Sequence, residues 1–258
     1  MNHSTDTLFF SPGEVALIGA GPGDPELLTL KAVKYLRQAD IVLVDDLVNP
    51  EILEYCHPQA RVIHVGKRGG CRSTPQSFIE KIMVRAALSG LRVARLKGGD
   101  PLVFGRAGEE IEALRAQHLK VTVLNGISAG LAGASAFGVS LTHRHYSPGI
   151  IFVTGHLKEE GVQPNWQILA ESGMTLVIYM GLTRAELIQQ SLLNAGMSGQ
   201  TPVGLVKSVT CPEEQLTHTS LSALCEAIQT KQLTSPTIIL IGDVLQAAQQ
   251  LHTVSVAA

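Results

Sequence analysis

The stretch LKGGDPLVFGRAGEE, residues 96–110, crowds a lysine, an aspartate, an arginine and two glutamates around a glycine pair. Gly98 and Gly99 let the backbone turn sharply and approach a ligand without a Cβ in the way. Asp100 sets a carboxylate in that turn, suited to a cationic or hydrogen-bond-donating ligand. Arg106 follows, just ahead of Glu109 and Glu110, which open a helix whose first turn favours acids. Further cations gather nearby in sequence: Arg61, Lys67, Arg68 and Arg72 in one region, then Arg92, Arg95, Lys97 and Arg144. The formal net charge is only −2, so a local basic site on a near-neutral chain suits a small polyanion better than a nucleic acid.

These residues need a scaffold, and the hydrophobic pattern supplies one. Apolar runs at Glu14 to Gly19, Asp40 to Asp45, Arg61 to Val65, Arg92 to Leu96 and Val121 to Leu124 read as strands. Helical periods lie between them: one from Pro25 through Leu36, one capped by Thr74 and Pro75 and ended at Gly90, one reaching Gln117. Alternation of this kind predicts a mainly parallel, helix-flanked sheet. The loop GAGPGDP after the first strand invites a dinucleotide reading, with Asp45 or Asp46 as the ribose-binding acid. Its spacing is G-x-G-x-G, however, and Pro22 removes a backbone donor that a pyrophosphate would want.

The small-residue run after Asn125 predicts a close-packing helix, and a seam is expected between Asn125 and Pro148. The expected halves are 14–127 and 128–250. In the second, strands are expected at Ile150 to Thr154, Thr175 to Met180, Pro202 to Val206 and Thr237 to Ile241. Asn165 is expected to cap a short helix, Thr183 and Glu186 to form a capping box, and a helix to cover Leu221 to Ile228. Two α/β halves predict a ligand cleft between them.

Composition narrows the classes further. The apolar runs are far short of the roughly 18 residues that span a bilayer, and the N-terminus lacks the pattern of a signal peptide. Cys56, Cys71, Cys211 and Cys225 show no metal or disulfide spacing, and Arg144 between His143 and His145 disfavours a metal. A cytoplasmic chain with no metal, membrane or nucleic-acid partner is expected.

The segments GAGPGDP, LKGGDP, VFGR, LTHR and TGH resemble those of the tetrapyrrole methylase family, and most of all its branch that C-methylates uroporphyrinogen III. The likeness runs from about Val15 to about Val244. It implies transfer of methyl groups from S-adenosylmethionine to carbons 2 and 7 of uroporphyrinogen III, giving precorrin-2, on a homodimer. It implies a fold of two α/β domains with the cofactor in the cleft between them, unlike the dinucleotide-binding type. No further domain for oxidation or metal insertion is expected at this length.

By matching position, the resemblance assigns cofactor contacts to Pro22, Gly98, Gly99, Asp100, Val103, Ser128, Ala129, Met180, Val209 and Thr237. It assigns Asp45 as proton acceptor and Lys67 as proton donor, with Arg106 as carboxylate clamp or participant in proton transfer. Arg68, Arg72, Arg106, Glu109, Arg144 and His156 are expected to face the substrate, whose eight carboxylates suit arginine's planar fork. Two positions depart from the family pattern: Asn125, where proline is usual, and Val209, where glycine is common. The Val209 side chain would crowd an adenosine. The alternatives are a sibling methylase acting on another precorrin or on RNA, a nucleotide-dependent dehydrogenase, and a non-catalytic tetrapyrrole carrier.

Overall fold

A computed structural model describes residues 9–66, 74–156 and 163–246. The chain divides into two compact units at the Ser128–Ala129 step.

The first unit is a five-stranded, wholly parallel sheet in the order β3-β2-β4-β1-β5. Its strands are β1 (Val15–Gly19), β2 (Ile41–Val44), β3 (Arg61–His64), β4 (Val93–Lys97) and β5 (Val121–Leu124). Helix α1 (Leu30–Leu36) packs Ala32, Tyr35 and Leu36 against Ala16, Ile18, Val42, Val44, Ala94 and Leu96 on one face. Helices α2 (Gln76–Leu88) and α3 (Ala107–Arg115) cover Val15, Leu17, Ile41, Leu43 and Val93 on the other. With both faces covered, β1, β2 and β4 are buried throughout, as parallel strands between helix layers must be.

Helix limits in this unit differ from the sequence reading in three places, one being α3, which ends at Arg115 rather than Gln117. The period from Pro25 breaks into a 3-10 turn, Pro25–Leu27, and α1 proper, because the Thr29 hydroxyl accepts from Ala32 N and restarts the helix. Thr74 does not cap α2; its N-cap is Pro75, with no side-chain hydrogen bond.

The second unit is a mixed sheet in the order β6-β7-β10-β8-β9. It comprises β6 (Ile150–Thr154), β7 (Thr175–Tyr179), β8 (Pro202–Lys207), β9 (Gln215–Ser220) and β10 (Thr237–Ile241). Only β6 and β7 run parallel; β10 is antiparallel to β7 and β8, and β8 to β9. Helix α4 (Ala129–Ala136) contacts β7 and β10 on one face. Its glycines allow that closeness: a Cβ on Gly130 would lie 2.5 Å from Val177, and one on Gly133 2.9 Å from Val206. The opposite face of the sheet is covered by α6 (Ala185–Asn194) and α7 (Leu224–Thr230), with α5 (Trp166–Glu171) packing against α6. Asn165 caps α5 through Ile168 N. The Thr183–Glu186 capping box does not form, because Thr183 lies inside a 3-10 turn, Leu182–Arg184, and α6 starts after it. Strand β9 escaped the sequence reading because QLTHTS is a polar edge strand with too few apolar residues to register.

One ion pair in the first unit gives a pH-linked prediction. Asp40 receives Arg92 Nη2 and Nε at 2.8 and 2.9 Å and Arg92 N at 2.8 Å. The Arg92 hydrogen bond holds the Asp40 carboxyl below its ordinary range, burial acting in the opposite direction. A folded-state pKa below the unfolded one contributes stability in full above the ordinary carboxylate range and loses it as pH falls through the folded value. Asp40→Asn is expected to cost about 1 kcal/mol at neutral pH, and the difference from wild type to fade in acid well below the ordinary carboxylate range. Denaturant titrations at both pH values check this; an equal loss at both would exclude the ion pair as its source.

Candidate active site

Every strand of the first sheet points the same way, so the residues that follow the strands share one edge. The chain leaves β2 toward β3 and leaves β4 toward β5, in opposite directions across the sheet. Neighbouring strands whose connections diverge leave a crevice at their carboxyl ends, where open α/β sheets bind ligands. Asp45 stands at the end of β2 and Gly98 at the end of β4, one on each side of that crevice. Close packing keeps it tight: a Cβ on Gly98 would lie 3.0 Å from Leu47 Cβ and 3.3 Å from Leu47 O.

A group of buried charges lies behind Asp45. Val93, Arg95 and Lys97 alternate on β4 toward the face that α2 and α3 cover, and Arg95 and Lys97 are 2% and 3% exposed. Glu110, on α3 and 0% exposed, answers both. Its Oε1 accepts from Arg95 Nε at 3.0 Å, Gln76 Nε2 at 3.0 Å and Lys97 Nζ at 3.2 Å. Lys97 Nζ is also 3.2 Å from Oε2, yet no hydrogen bond is directed to that oxygen, so charge alone holds it. Arg95 Nη2 extends the chain outward to Asp45 Oδ1 at 2.6 Å. Lys97 Nζ is 3.7 Å from Asp45 Oδ2. Burial, with Arg95 close by, pushes the Lys97 ammonium pKa down, against the upward pull of Glu110 and Asp45. The Asp45 side chain keeps 30% exposure, so a carboxylate held from behind still faces outward.

The glycine loops knit this edge together. Gly21 and Gly99 exchange backbone hydrogen bonds at 3.2 and 2.7 Å. A Cβ on Gly19 would stand 2.4 Å from Gly126 N and 2.7 Å from Gly99 O. Three loops therefore meet through backbone. Gly19→Ala is expected to destabilise the protein by about 1–3 kcal/mol, because the neighbours it strikes are main chain and cannot rotate away. Chemical denaturation measures this; an unchanged midpoint would mean the loops are not packed as described.

Asp100 is engaged within the protein through both carboxylate oxygens. Its Oδ1 accepts from Leu102 N at 2.8 Å, and its Oδ2 from Asn125 Nδ2 at 3.1 Å and Gly126 N at 3.2 Å. Both oxygens are used to pin the turn. Asn125, the departure from the family's proline, supplies a donor that proline lacks. What the turn offers a ligand is main chain at Gly98 and Gly99, flanked by the half-buried Pro22 and Val103. That arrangement fits a nucleoside-bearing cofactor, whose hydroxyl and base edges pair with backbone groups.

Arg106 stands at the N-cap of α3 in the left-handed conformation, φ 58°. Its fork is engaged, with Nε 2.9 Å from Glu109 Oε1 and Nη2 2.5 Å from Glu109 Oε2, and both side chains are about half exposed. The Glu109 hydrogen bond raises the Arg106 pKa further from any basic role. Of the cations gathered in the sequence reading, Arg92, Arg95, Lys97 and Arg106 are thus paired with carboxylates.

In the second unit the antiparallel arrangement also gathers expected residues. The ends of β6, β7 and β8 and the start of β10 share one edge, which carries His156, Met180, Val209 and Thr237. Helix α4 begins there, with Gly130 N donating to the Tyr179 hydroxyl at 2.8 Å. Ser128 is buried and Ala129 half-buried at that helix start. Met180 is 50% exposed at φ 52°, and Ser208 and Thr210 flank Val209 at φ 48° and 62°. Left-handed non-glycine residues cluster at ligand sites, where strain is held by surrounding structure. The Val209 side chain is itself buried, and the Thr237 hydroxyl is spent on Thr234 O at 2.6 Å. Arg144 is exposed, in a turn anchored through Ser147 to Thr175, the end of β7 opposite Met180. Lys67, Arg68 and Arg72 lie outside the described residues.

The pairing of Arg95 with Glu110 and Asp45 is what sequence reasoning missed. The signal was present, since two charges at alternate positions of an otherwise apolar strand demand an acid on the covering helix.

Residues 14–225 match the family model for tetrapyrrole (corrin/porphyrin) methylases. A uroporphyrinogen-III C-methyltransferase of Pseudomonas aeruginosa is 52% identical over 90% of this chain and 94% of its own. The crystal structure of uroporphyrin-III C-methyl transferase from Thermus thermophilus, complexed with S-adenyl homocysteine, superposes with a TM-score of 0.78. It is 37% identical over 91% of this chain and 99% of its own. A cobalt precorrin-4 methyltransferase gives a TM-score of 0.81 at 28% identity, over 90% and 96% of the two chains.

Proposed function

The chain belongs to the tetrapyrrole (corrin/porphyrin) methylase family, and we propose that it transfers methyl groups to carbons 2 and 7 of uroporphyrinogen III, yielding precorrin-2. The carrying observation is the 52% identity maintained along nearly the full length of a uroporphyrinogen-III C-methyltransferase. The cobalt precorrin-4 enzyme matches the backbone slightly better, but at 28% identity that agreement speaks to shared fold more than to shared substrate.

S-adenosylmethionine, when bound, supplies an electrophilic methyl group on a sulfonium. The residues assigned to hold it are Pro22, Gly98, Gly99, Asp100 and Val103, with Ser128, Ala129, Met180, Val209 and Thr237. The Gly98–Gly99 backbone serves as ligand surface while the Asp100 carboxylate keeps the turn in place. Val209 then contributes main chain, since its side chain is packed away. Orienting a pyrrole carbon toward the methyl group supplies much of the rate in such a displacement. Asp45 takes the proton that the methylated ring releases, and Lys67 is its proton-donating counterpart. Arg68, Arg72, Arg106 and Arg144 receive the carboxylate arms, with Glu109 and His156 facing the substrate beside them. Arg106 binds as a clamp by exchanging its Glu109 partner for a substrate carboxylate.

Among the described residues no helix is long and apolar enough to cross a membrane, and the cysteine spacing agrees with a reducing compartment; we place the enzyme in the cytoplasm as a homodimer. The test is anaerobic incubation with S-adenosylmethionine and uroporphyrinogen III, following tetrapyrrole mass. Two methyl increments are expected. An unmodified tetrapyrrole, beside methylation of a later precorrin offered in parallel, would move the substrate to that sibling.

A further inference from the structure

Resting on the proposed methyl transfer, we propose that Arg95 and Glu110 are positioning residues that make the two oxygens of Asp45 inequivalent, reserving Oδ2 for the proton released by the ring. The guanidinium of Arg95 has every nitrogen occupied. Nε meets Glu110, Nη1 faces the carbonyls of Leu96 at 3.3 Å and Leu43 at 3.5 Å, and Nη2 holds Asp45 Oδ1 at 2.6 Å. A group so fixed cannot swing, so neither can the oxygen it holds. Among the described residues, Asp45 Oδ2 has only the distant ion pair with Lys97 Nζ at 3.7 Å, whose hydrogen bond goes to Glu110 instead. Proton transfer then has one destination. A ring N–H or C–H bond breaks, its electron pair stays on the tetrapyrrole, and an O–H bond forms at Oδ2.

Stability does not require this arrangement. Replacing a buried ion pair by well-packed apolar groups of similar volume is often neutral or stabilising. Beside Arg95 and Lys97, the same face of β4 carries Val93, which packs in an apolar cluster with Met83 of α2. The charges also lie where function needs them, at the carboxyl ends of the diverging strands β2 and β4. The same anchor reaches the clamp, because Glu110 follows Arg106 by one helical turn on α3. Other charged groups near Asp45 among the described residues are Asp46, next in the chain, and the exposed His64, whose neighbour across the β2–β3 register is Val44.

The test is a mutant cycle on the full chain. Arg95→Met with Glu110→Leu removes a neutral pair and leaves Lys97 opposite Asp45. The double variant is expected to stay folded at the assay temperature, melting earlier than wild type because buried Lys97 loses its Glu110 acceptor, and to bind S-adenosylhomocysteine normally by calorimetry. Its kcat is expected to fall about 10²-fold, with KM for uroporphyrinogen III much less affected. Placed on Asp45→Asn, the same two substitutions should cost almost nothing more, because residues that act through one group are not additive. Glu110→Gln, which keeps size and an oxygen for Arg95, supplies the same cycle if the double variant does not fold. Full kcat in the variants, or an undiminished loss on the Asp45→Asn background, overturns the proposal. A wild-type chain that leaves uroporphyrinogen III unmethylated overturns the parent reading and this one together; normal wild-type turnover beside equally fast variants overturns this one alone.

Discussion

Asp45→Asn is expected to lower kcat by about 10²- to 10⁴-fold, the range that a general base contributes, while S-adenosylhomocysteine binds as before. The substitution keeps the size of the side chain and an oxygen to accept from Arg95 Nη2, now 2.6 Å from Oδ1. What it removes is the basic oxygen at the exposed end of the buried charge chain. Loss of charge next to Arg95 and Lys97 also destabilises the fold, so a melting curve must accompany the kinetics. Single-turnover rates at saturating tetrapyrrole isolate the chemical step. If those rates match wild type, Asp45 is a structural partner for Arg95 and the base lies elsewhere.

Arg106→Lys is expected to reduce kcat/KM for the tetrapyrrole by about ten- to a hundredfold with little change in cofactor affinity. Lysine preserves the charge, so long-range attraction for the polyanion survives. Both side chains suffer the same penalty at φ 58°, so the backbone at the α3 N-cap is not a variable. The planar fork is lost. In the free protein that fork grips Glu109 through two hydrogen bonds, which shows that its geometry suits a carboxylate. A hydrogen bond to a charged group is worth roughly 1.5–3 kcal/mol, and about 1.4 kcal/mol is tenfold. Glu109→Gln sharpens the comparison, because it frees the fork and should raise tetrapyrrole affinity if Glu109 only competes with the substrate. Cofactor affinity that falls in step with tetrapyrrole efficiency would take the clamp role away from Arg106.

Local pattern was sufficient for most of the elements. Strands β1, β2, β7 and β10 were legible because buried interior strands are nearly unbroken apolar runs bounded by turn residues. The glycine turns were legible too, since glycine at Gly99, φ 65°, answers a backbone demand that other residues meet only under strain. Edge strand β9 was not legible, because an edge needs little burial and its polar sequence carries no period.

The type of chemistry was therefore written in the chain, in the glycine pair, the acids at strand ends and the motifs of a methylase. The partner of each charge was not. Arg95, Lys97 and Arg106 read alike in sequence, as cations available to a polyanion. The fold separates them: the alternation of β4 and the facing turn of α3 bury Arg95 and Lys97 against Glu110, while Arg106 stays at the surface. Asp100, equally exposed to expectation, becomes an internal fastener because β5 ends beside it and presents Asn125 and Gly126. Pairing of the buried charges depends on residues 13 to 50 positions apart in sequence, and only the packing of helix on sheet brings them within hydrogen-bond distance.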